Sequence, residues 1–261
     1  MVETVPKNHR VYILPNLLTT AGLFCGFYGM MAALNGLFVS GAYAIIAATI
    51  FDALDGRVAR ATGTVSAFGK EYDSLADFLS FGVSPALLMY QWVLAPHNRW
   101  GWAAAFLFVV CGALRLARFN VMQNYVQDER VSKRYFQGLP IPAAAGFLVA
   151  MVLFYHEFNL QTDKGFFAWL PLVMMFVLGI LMVSNVRFRS MKDFAWHRKR
   201  PFLTLVAVGI FLSVLTIYMA VTLFLVMWIY LISAIPSHRE YLGLLAEGKE
   251  VEEDEVEDLT I

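Results

Sequence analysis

Long apolar segments follow one another along the whole chain and restrict it to a membrane fold. They are spread evenly from residue 11 to residue 236, and 59% of all residues are hydrophobic while only 15% are charged. A soluble domain carries about 25% charged residues, and a membrane-spanning helix needs about 20 largely apolar residues. The sequence therefore predicts an all-α, polytopic transmembrane helix bundle. About eight spans are expected, at 14–34, 38–58, 75–95, 101–119, 140–157, 166–186, 201–217 and 220–236.

The placement of lysine and arginine predicts how these spans are oriented. If the N-terminus is cytoplasmic, only Arg99 and Lys164 of the 20 Lys and Arg residues fall on the opposite side. Because cytoplasmic loops carry an excess of these residues, we expect an even number of spans with both termini cytoplasmic, in the cell membrane. The last two spans are short and nearly continuous, which favours a helical hairpin. We expect one membrane domain, 1–238, followed by an acidic and disordered tail, 239–261.

Four aspartates interrupt this apolar sequence: Asp52, Asp55, Asp73 and Asp77. A charged carboxylate at membrane depth costs roughly 2.5–3.5 kcal/mol on insertion scales, so four together require positive charge among them. Spacings of three and four residues put each pair on one helix face. The short loop between the two helices makes them antiparallel neighbours, so both pairs can meet in one pocket. Such hard oxygen ligands suit a pair of Mg²⁺, Mn²⁺ or Ca²⁺ ions, and no nearby histidine or cysteine favours zinc.

Small residues and one arginine accompany the carboxylates. Gly56 follows Asp52 by one turn, and Gly69 precedes Asp73 by one turn. Glycine inside a helix costs about 1 kcal/mol relative to alanine, so these positions need a reason. Room for a ligand is one reason, and Arg60 could meet its phosphate with a planar set of donors. The alternative is structural, because intramembrane acids can pair with arginines and glycines can serve close helix packing.

The spacing of these residues resembles the complete signature of the CDP-alcohol phosphotransferase family. Members transfer a phosphatidyl or related group from a CDP-linked lipid to an alcohol and release CMP. The resemblance implies a six-helix core, which the C-terminal hairpin extends here, and a homodimer. The matching frame is Asp52-x2-Asp55-Gly56-x2-Ala59-Arg60-x8-Gly69-x3-Asp73-x3-Asp77.

The resemblance also implies roles for the matching residues. The four aspartates would ligate two divalent cations, Mg²⁺ or Mn²⁺, and Asp77 would also act as general base on the acceptor hydroxyl. The first span contains Pro15-Asn16-Leu17-Leu18-Thr19, which resembles the amino-terminal motif of the family, although a polar helix start is the competing interpretation. The residues expected to bind the CDP-lipid are Asn16, Thr19, Gly56, Ala59, Arg60 and Gly69.

Three further segments resemble the branch of the family that uses serine as the acceptor: residues 114–120, 138–146 and 184–188. CDP-diacylglycerol and L-serine are the substrates that this resemblance implies. Arginines three residues apart on one helix face could hold a carboxylate. They could equally hold a phosphate, so glycerol 3-phosphate or an inositol compound stays open as the acceptor, and they could also simply contact lipid phosphates. The candidate acceptor-binding residues are Arg115, Arg118, Asn120, Lys133 and Arg187.

A cation transporter is the rival function from another class. Transporters hold their ions near the bilayer midplane, where helices are interrupted. Here the acids cluster near the cytoplasmic edge, which favours an enzyme whose active site faces the cytoplasm. Its expected partners are membrane lipid and not nucleic acid.

Overall fold

The computed structural model describes residues 9–125, 135–160, 162, 165–189, 206, 209, 213, 214 and 216–246. Helices dominate this part of the chain, and two three-residue strands pair with each other in antiparallel fashion. The α-helices are α1 (His9–Leu34), α2 (Phe38–Thr62), α3 (Ala67–Asp77), α4 (Ser84–Met89), α5 (Asn98–Tyr125), α6 (Ile141–Glu157), α7 (Phe166–Val183) and α8 (Met219–Ala246). The strands are β1 (Tyr135–Gln137) and β2 (Arg187–Arg189).

The predicted all-α membrane bundle is confirmed. Within the described ranges, five helical runs are long and apolar enough to cross a membrane, and α6 is apolar but shorter. The predicted seventh span, 201–217, falls largely outside the described residues, so the count of eight spans and the side of the termini stay predictions. The five runs are Ile13–Leu34, Phe38–Thr62, Ala67–Met122, Phe166–Val183 and Met219–Arg239.

The longest run, Ala67–Met122, contains two of the predicted spans. Its first half passes from α3 through a π-helical segment, Phe78–Val83, into α4 and then through a second one, Tyr90–Leu94. A 3₁₀ turn follows, and Asn98 adopts a positive φ of 50°. There the chain reverses, so that α5 packs back along the π-helical segments and α4. The reversal falls between the predicted spans 75–95 and 101–119.

Helix α6 lies at the centre of the bundle. It packs against α2, α5, α7 and α8, and Ala144, Leu148 and Met151 are completely buried. A helix that is apolar on every side is typical of such a central position. Helix α2 connects this core to the aspartates, because it packs against α6 and also against α1, which in turn contacts α3.

Close backbone contact fixes α1 against the first π-helical segment. A Cβ added at Gly26 would lie 2.7 Å from Cα of Ser80, so only glycine permits this approach. The Ser80 hydroxyl donates a hydrogen bond of 3.3 Å to the carbonyl oxygen of Gly22, one turn earlier on α1. Small residues allow such close helix contact in membranes. The contact sets the position of α1 relative to α3.

The strands β1 and β2 join the loop before α6 to the segment after α7. Their register pairs Gln137 with Arg187 and Phe136 with Phe188. Gly138 has a φ of 72°, and a Cβ there would overlap with the carbonyl oxygen of Met182. The sequence analysis predicted no strand here, because three residues are too few to show an alternating pattern.

Candidate active site

The four predicted aspartates converge on one pocket. Carboxylate oxygens of Asp52, Asp55 and Asp73 lie within 4.8 Å of one another. Asp77 borders the same pocket, and its carboxylate is within electrostatic range of the other three. Asp55 is buried, and the other three are partly buried. Negative groups this close repel one another strongly when they are shielded from water.

Capping interactions at both ends of a four-residue loop bring the two pairs together. Gly63 ends α2 in a left-handed conformation, with a φ of 63°, and its N–H bonds to carbonyl oxygens of the last turn. Ser66 begins α3, and its hydroxyl accepts a hydrogen bond of 3.0 Å from the Gly69 N–H. These are typical ends for helices, since glycine tolerates the left-handed region and serine pairs a free N–H. The predicted short connection is present.

Thr19 of α1 contacts the carboxylate cluster directly. Its Oγ1 donates a hydrogen bond of 2.7 Å to Oδ2 of Asp55, and both side chains are buried. The same Oγ1 lies 3.1 Å from the carbonyl oxygen of Pro15. A hydrogen bond to a charged group is stronger than one between neutral groups. Thr19 therefore orients Asp55. The expected role of Thr19 in binding the CDP-lipid did not include this contact.

The predicted CDP-lipid residues surround this cluster on the loop side. The guanidinium of Arg60 lies 3.4 Å from the point where a Cβ at Gly56 would stand, which is an ordinary van der Waals distance. Oδ1 of Asn16 lies 3.6 Å from the corresponding point at Gly69. Arg60 is exposed and within electrostatic range of Asp55, while Ala59 is partly buried on the same helix. Each of the two glycines therefore lies next to the polar side chain of another predicted CDP-lipid residue.

Arg115 is a predicted acceptor residue that interacts electrostatically with the carboxylates. Its guanidinium is within electrostatic range of Asp77 and of Tyr230 on α8. Its Nε is fully buried and has no hydrogen-bond partner among the described residues. A buried donor without a partner costs about 1–3 kcal/mol, so an acceptor group is expected there.

Three of the other predicted acceptor residues take part in two separate sets of contacts. Asn120 exchanges hydrogen bonds of 3.0 and 3.2 Å with Ser74 on α3, so it joins α5 to the aspartate-bearing helix. Arg118 donates a hydrogen bond of 3.4 Å to Oδ1 of Asn185, which also accepts one of 2.9 Å from Gln137. Arg187 is the strand partner of Gln137. Lys133 lies outside the described residues.

Several residues at the site carried no prediction. Asn185 belongs to a segment that the sequence analysis singled out, but no role was given to it. Tyr230 lies in a predicted apolar span, and its hydroxyl is the feature of the sequence that could have indicated a role at the site. Ser74 follows Asp73 directly, and its polar side chain beside the aspartate frame is a signal that the sequence contains.

The carboxylate cluster has the composition of a metal site. Among the described residues, Arg60 and Arg115 are in electrostatic range of it, and two positive charges offset half of four negative ones. Oxygen atoms from carboxylates are the ligands that Mg²⁺ and Mn²⁺ prefer. The residues therefore fit a divalent cation, and the cluster of Asp52, Asp55 and Asp73 could hold one.

Comparisons with known proteins agree with this geometry. A sequence model of the CDP-alcohol phosphatidyltransferase family matches residues 12–178. A CDP-diacylglycerol–serine O-phosphatidyltransferase of Helicobacter pylori is 42% identical over 229 residues, which cover 86% of this chain and 90% of that protein. The enzyme of the same name from Methanocaldococcus jannaschii is 35% identical over 182 residues, covering 69% of this chain and 77% of that protein.

An archaetidylserine synthase of Methanothermobacter thermautotrophicus is 34% identical over 178 residues, which cover 67% of this chain and 69% of that protein. The family match takes in all four aspartates and α1 to α6. The similarity between this chain and these relatives extends well beyond the individual motifs. The chain belongs to the CDP-alcohol phosphatidyltransferase family.

Proposed function

We propose that the protein transfers the phosphatidyl group of CDP-diacylglycerol to the hydroxyl of L-serine and releases CMP. The meeting of four aspartates from α2 and α3 in one pocket is the observation that carries this proposal. The relatives support the choice of acceptor, since the names of all three refer to serine, although the lipid that they name differs.

Two divalent cations, Mg²⁺ or Mn²⁺, would be held by Asp52, Asp55, Asp73 and Asp77. Bound there, they would neutralise the pyrophosphate and stabilise the departing CMP. The chain itself contributes the fixed orientation of the ligands. Thr19 holds Asp55, and the capped loop between α2 and α3 holds the two pairs at the observed separation.

The remaining CDP-lipid contacts come from the loop side of the pocket. Arg60 would meet a phosphate oxygen of the nucleotide, because a guanidinium can offer two parallel donors to such a group. Gly56, Ala59 and Gly69 would leave space for the nucleotide beside the helix backbones. Asn16, near Gly69, would contact the nucleotide from α1.

Asp77 would accept the proton of the serine hydroxyl. The serine oxygen then bonds to the phosphorus of the phosphatidyl group, the bond from phosphorus to the CMP oxygen breaks, and CMP leaves. Arg115 would bind the serine carboxylate, since its guanidinium is close to Asp77 and its buried Nε–H needs an acceptor. Arg118, Asn120, Lys133 and Arg187 would complete the acceptor region.

An acceptor panel tests the proposed function. Purified protein with Mg²⁺ or Mn²⁺ is given CDP-diacylglycerol and, separately, L-serine, glycerol 3-phosphate or inositol, and CMP release is measured. We expect release with serine only. Arginines also suit a phosphate-bearing acceptor, so the second candidate is a transferase that uses glycerol 3-phosphate. CMP release with that compound and none with serine would replace the first proposal by the second.

Orientation and assembly follow from the same proposal. The positive side of the chain and the aspartates would face the cytoplasm, where serine and CMP are soluble. The protein would act in the cell membrane as a homodimer. In a variant whose native Cys25 and Cys111 are replaced, Arg60→Cys tests the orientation: an impermeant thiol reagent added outside intact cells should not label it, and labelling would contradict a cytoplasmic site.

A further inference from the structure

Helix α8 brings a polar group close to Arg115, one of the proposed acceptor-binding residues. Helix α8 lies beyond residue 178, where the family match ends. It nevertheless packs against α6 and β2 within the bundle. Tyr230 is a partly buried residue of α8 and is within electrostatic range of Arg115.

The ring of Tyr230 is held in place by its neighbour on β2. Its centroid lies 5.7 Å from that of Phe188, which is completely buried. Aromatic pairs at such separations stabilise each other. A tyrosine held by its ring presents its hydroxyl at a defined place, and little entropy is lost when a ligand binds to it.

Arg115 supplies the second group. Its buried Nε–H has no hydrogen-bond partner in the described part of the chain, and the guanidinium is close to Asp77 as well as to Tyr230. An anion between Arg115 and Tyr230 would satisfy the buried donor. A carboxylate has enough lone pairs to accept from the guanidinium and the hydroxyl together.

We propose that Tyr230 is a further acceptor-binding residue, whose hydroxyl binds the carboxylate of serine jointly with the guanidinium of Arg115. This rests on the proposed function. The carboxylate would lie between α5 and α8, which leaves the serine hydroxyl directed to Asp77. An amino alcohol without a carboxylate would gain nothing from Tyr230.

The substitution Tyr230→Phe tests this, because it removes one oxygen and keeps the ring on Phe188. Serine is compared with ethanolamine, which is serine without its carboxylate. We expect KM for serine to rise about tenfold to hundredfold, which is the effect of a hydrogen bond to a charged group. The inhibition constant of ethanolamine as a competitor of serine, and KM for CDP-diacylglycerol, should stay as in the wild type.

Three further variants make the result specific. Tyr218→Phe is the matched control, since Tyr218 is exposed just before α8 begins, and it should leave every constant unchanged. Arg115→Lys should raise KM for serine as well. The double variant should lose less than the two single effects combined, because both side chains act on one group.

The outcomes separate this inference from the proposed function. An unchanged KM for serine in Tyr230→Phe, or an equal weakening of serine and ethanolamine, would overturn the role of Tyr230 while serine turnover by the wild type stands. A wild type that does not use serine would overturn the proposed function and this inference together.

Discussion

The two halves of the candidate site are built in different ways. The cation half consists of Thr19 and the four aspartates, which α1, α2 and α3 supply. The proposed acceptor half consists of Arg115, Arg118, Asn185 and Tyr230, which come from α5, from the segment before β2 and from α8. Thr19 and Asp55 of the cation half are buried, whereas the acceptor half contains exposed contacts and, among the described residues, a buried donor without a hydrogen-bond partner.

The two halves are therefore encoded differently in the sequence. The chemistry that a whole family shares depends on residues close together in the sequence, so a motif can reveal it. The residues proposed to bind the acceptor come from helices that meet only after folding. Changes in the cation half should therefore affect turnover with every acceptor, and changes in the acceptor half should affect mainly serine.

Removal of divalent cations should have the largest effect. Treatment with EDTA is expected to abolish CMP release, and added Mg²⁺ or Mn²⁺ should restore it, because the carboxylates repel one another and cannot hold the pyrophosphate alone. The measurement is CMP release before and after readdition. Full activity in protein shown to be free of metal would contradict the role of the cation half.

The substitution Asp77→Asn should have the next largest effect. Loss of a general base lowers turnover by about 10²–10⁴-fold, and binding of CDP-diacylglycerol should be partly retained. Turnover and binding of labelled CDP-lipid are both measured. Glu71→Gln is the matched control, since Glu71 is an exposed acid on the same helix. Normal turnover in Asp77→Asn would end the role of Asp77 as base.

The substitution Thr19→Val should produce a moderate loss. It removes the 2.7 Å hydrogen bond to Asp55 and keeps the shape of the side chain. We expect turnover to fall about tenfold or more and the Mg²⁺ concentration for half-maximal activity to rise, since hydrogen bonds to charged groups contribute about 1.5–3 kcal/mol.

The neighbouring substitution Thr20→Val serves as the control for Thr19. Thr20 is exposed, and its hydroxyl bonds to the hydroxyl of Tyr72 at 2.9 Å and to the carbonyl oxygen of Asn16 at 2.7 Å. Equal losses in the two variants would show that α1 packing, and not the Asp55 contact, accounts for the effect.

The substitution Asn185→Ala should have the smallest effect. Asn185 is exposed and its bond to Arg118 is long, at 3.4 Å, so its loss should raise KM for serine only about two- to tenfold. Michaelis constants for serine and CDP-diacylglycerol are compared with those of Asn35→Ala, which alters an exposed residue outside the site. A large fall in turnover with every acceptor would remove the distinction between the halves.

The sequence predicted the helices and the aspartate frame well, for physical reasons. Apolar segments of span length have few alternatives to a helix bundle, and spacings of three and four residues set the carboxylates on helix faces before any tertiary contact forms. The predicted spans 14–34, 38–58 and 166–186 differ from α1, α2 and α7 by only a few residues at their ends.

Other features could not be predicted because they depend on distant contacts. The π-helical segments after Asp77 change the helical period, and apolar composition carries no sign of that. The pairing of Gln137 with Arg187 joins residues far apart in the chain. The approach of Tyr230 to Arg115 depends on how α8 packs, so its hydroxyl looked like any other in an apolar span.

The contact between Gly26 and Ser80 has a consequence for the active site at a distance. Gly26 is seven residues from Thr19, which is about two helical turns or 10 Å along α1. Because no Cβ fits at Gly26, an alanine there would push α1 outward and draw the Thr19 hydroxyl away from Asp55. The variant Gly26→Ala would then bind the cation more weakly, although Gly26 itself contacts neither lipid nor metal. Excess Mg²⁺ would partly restore its activity.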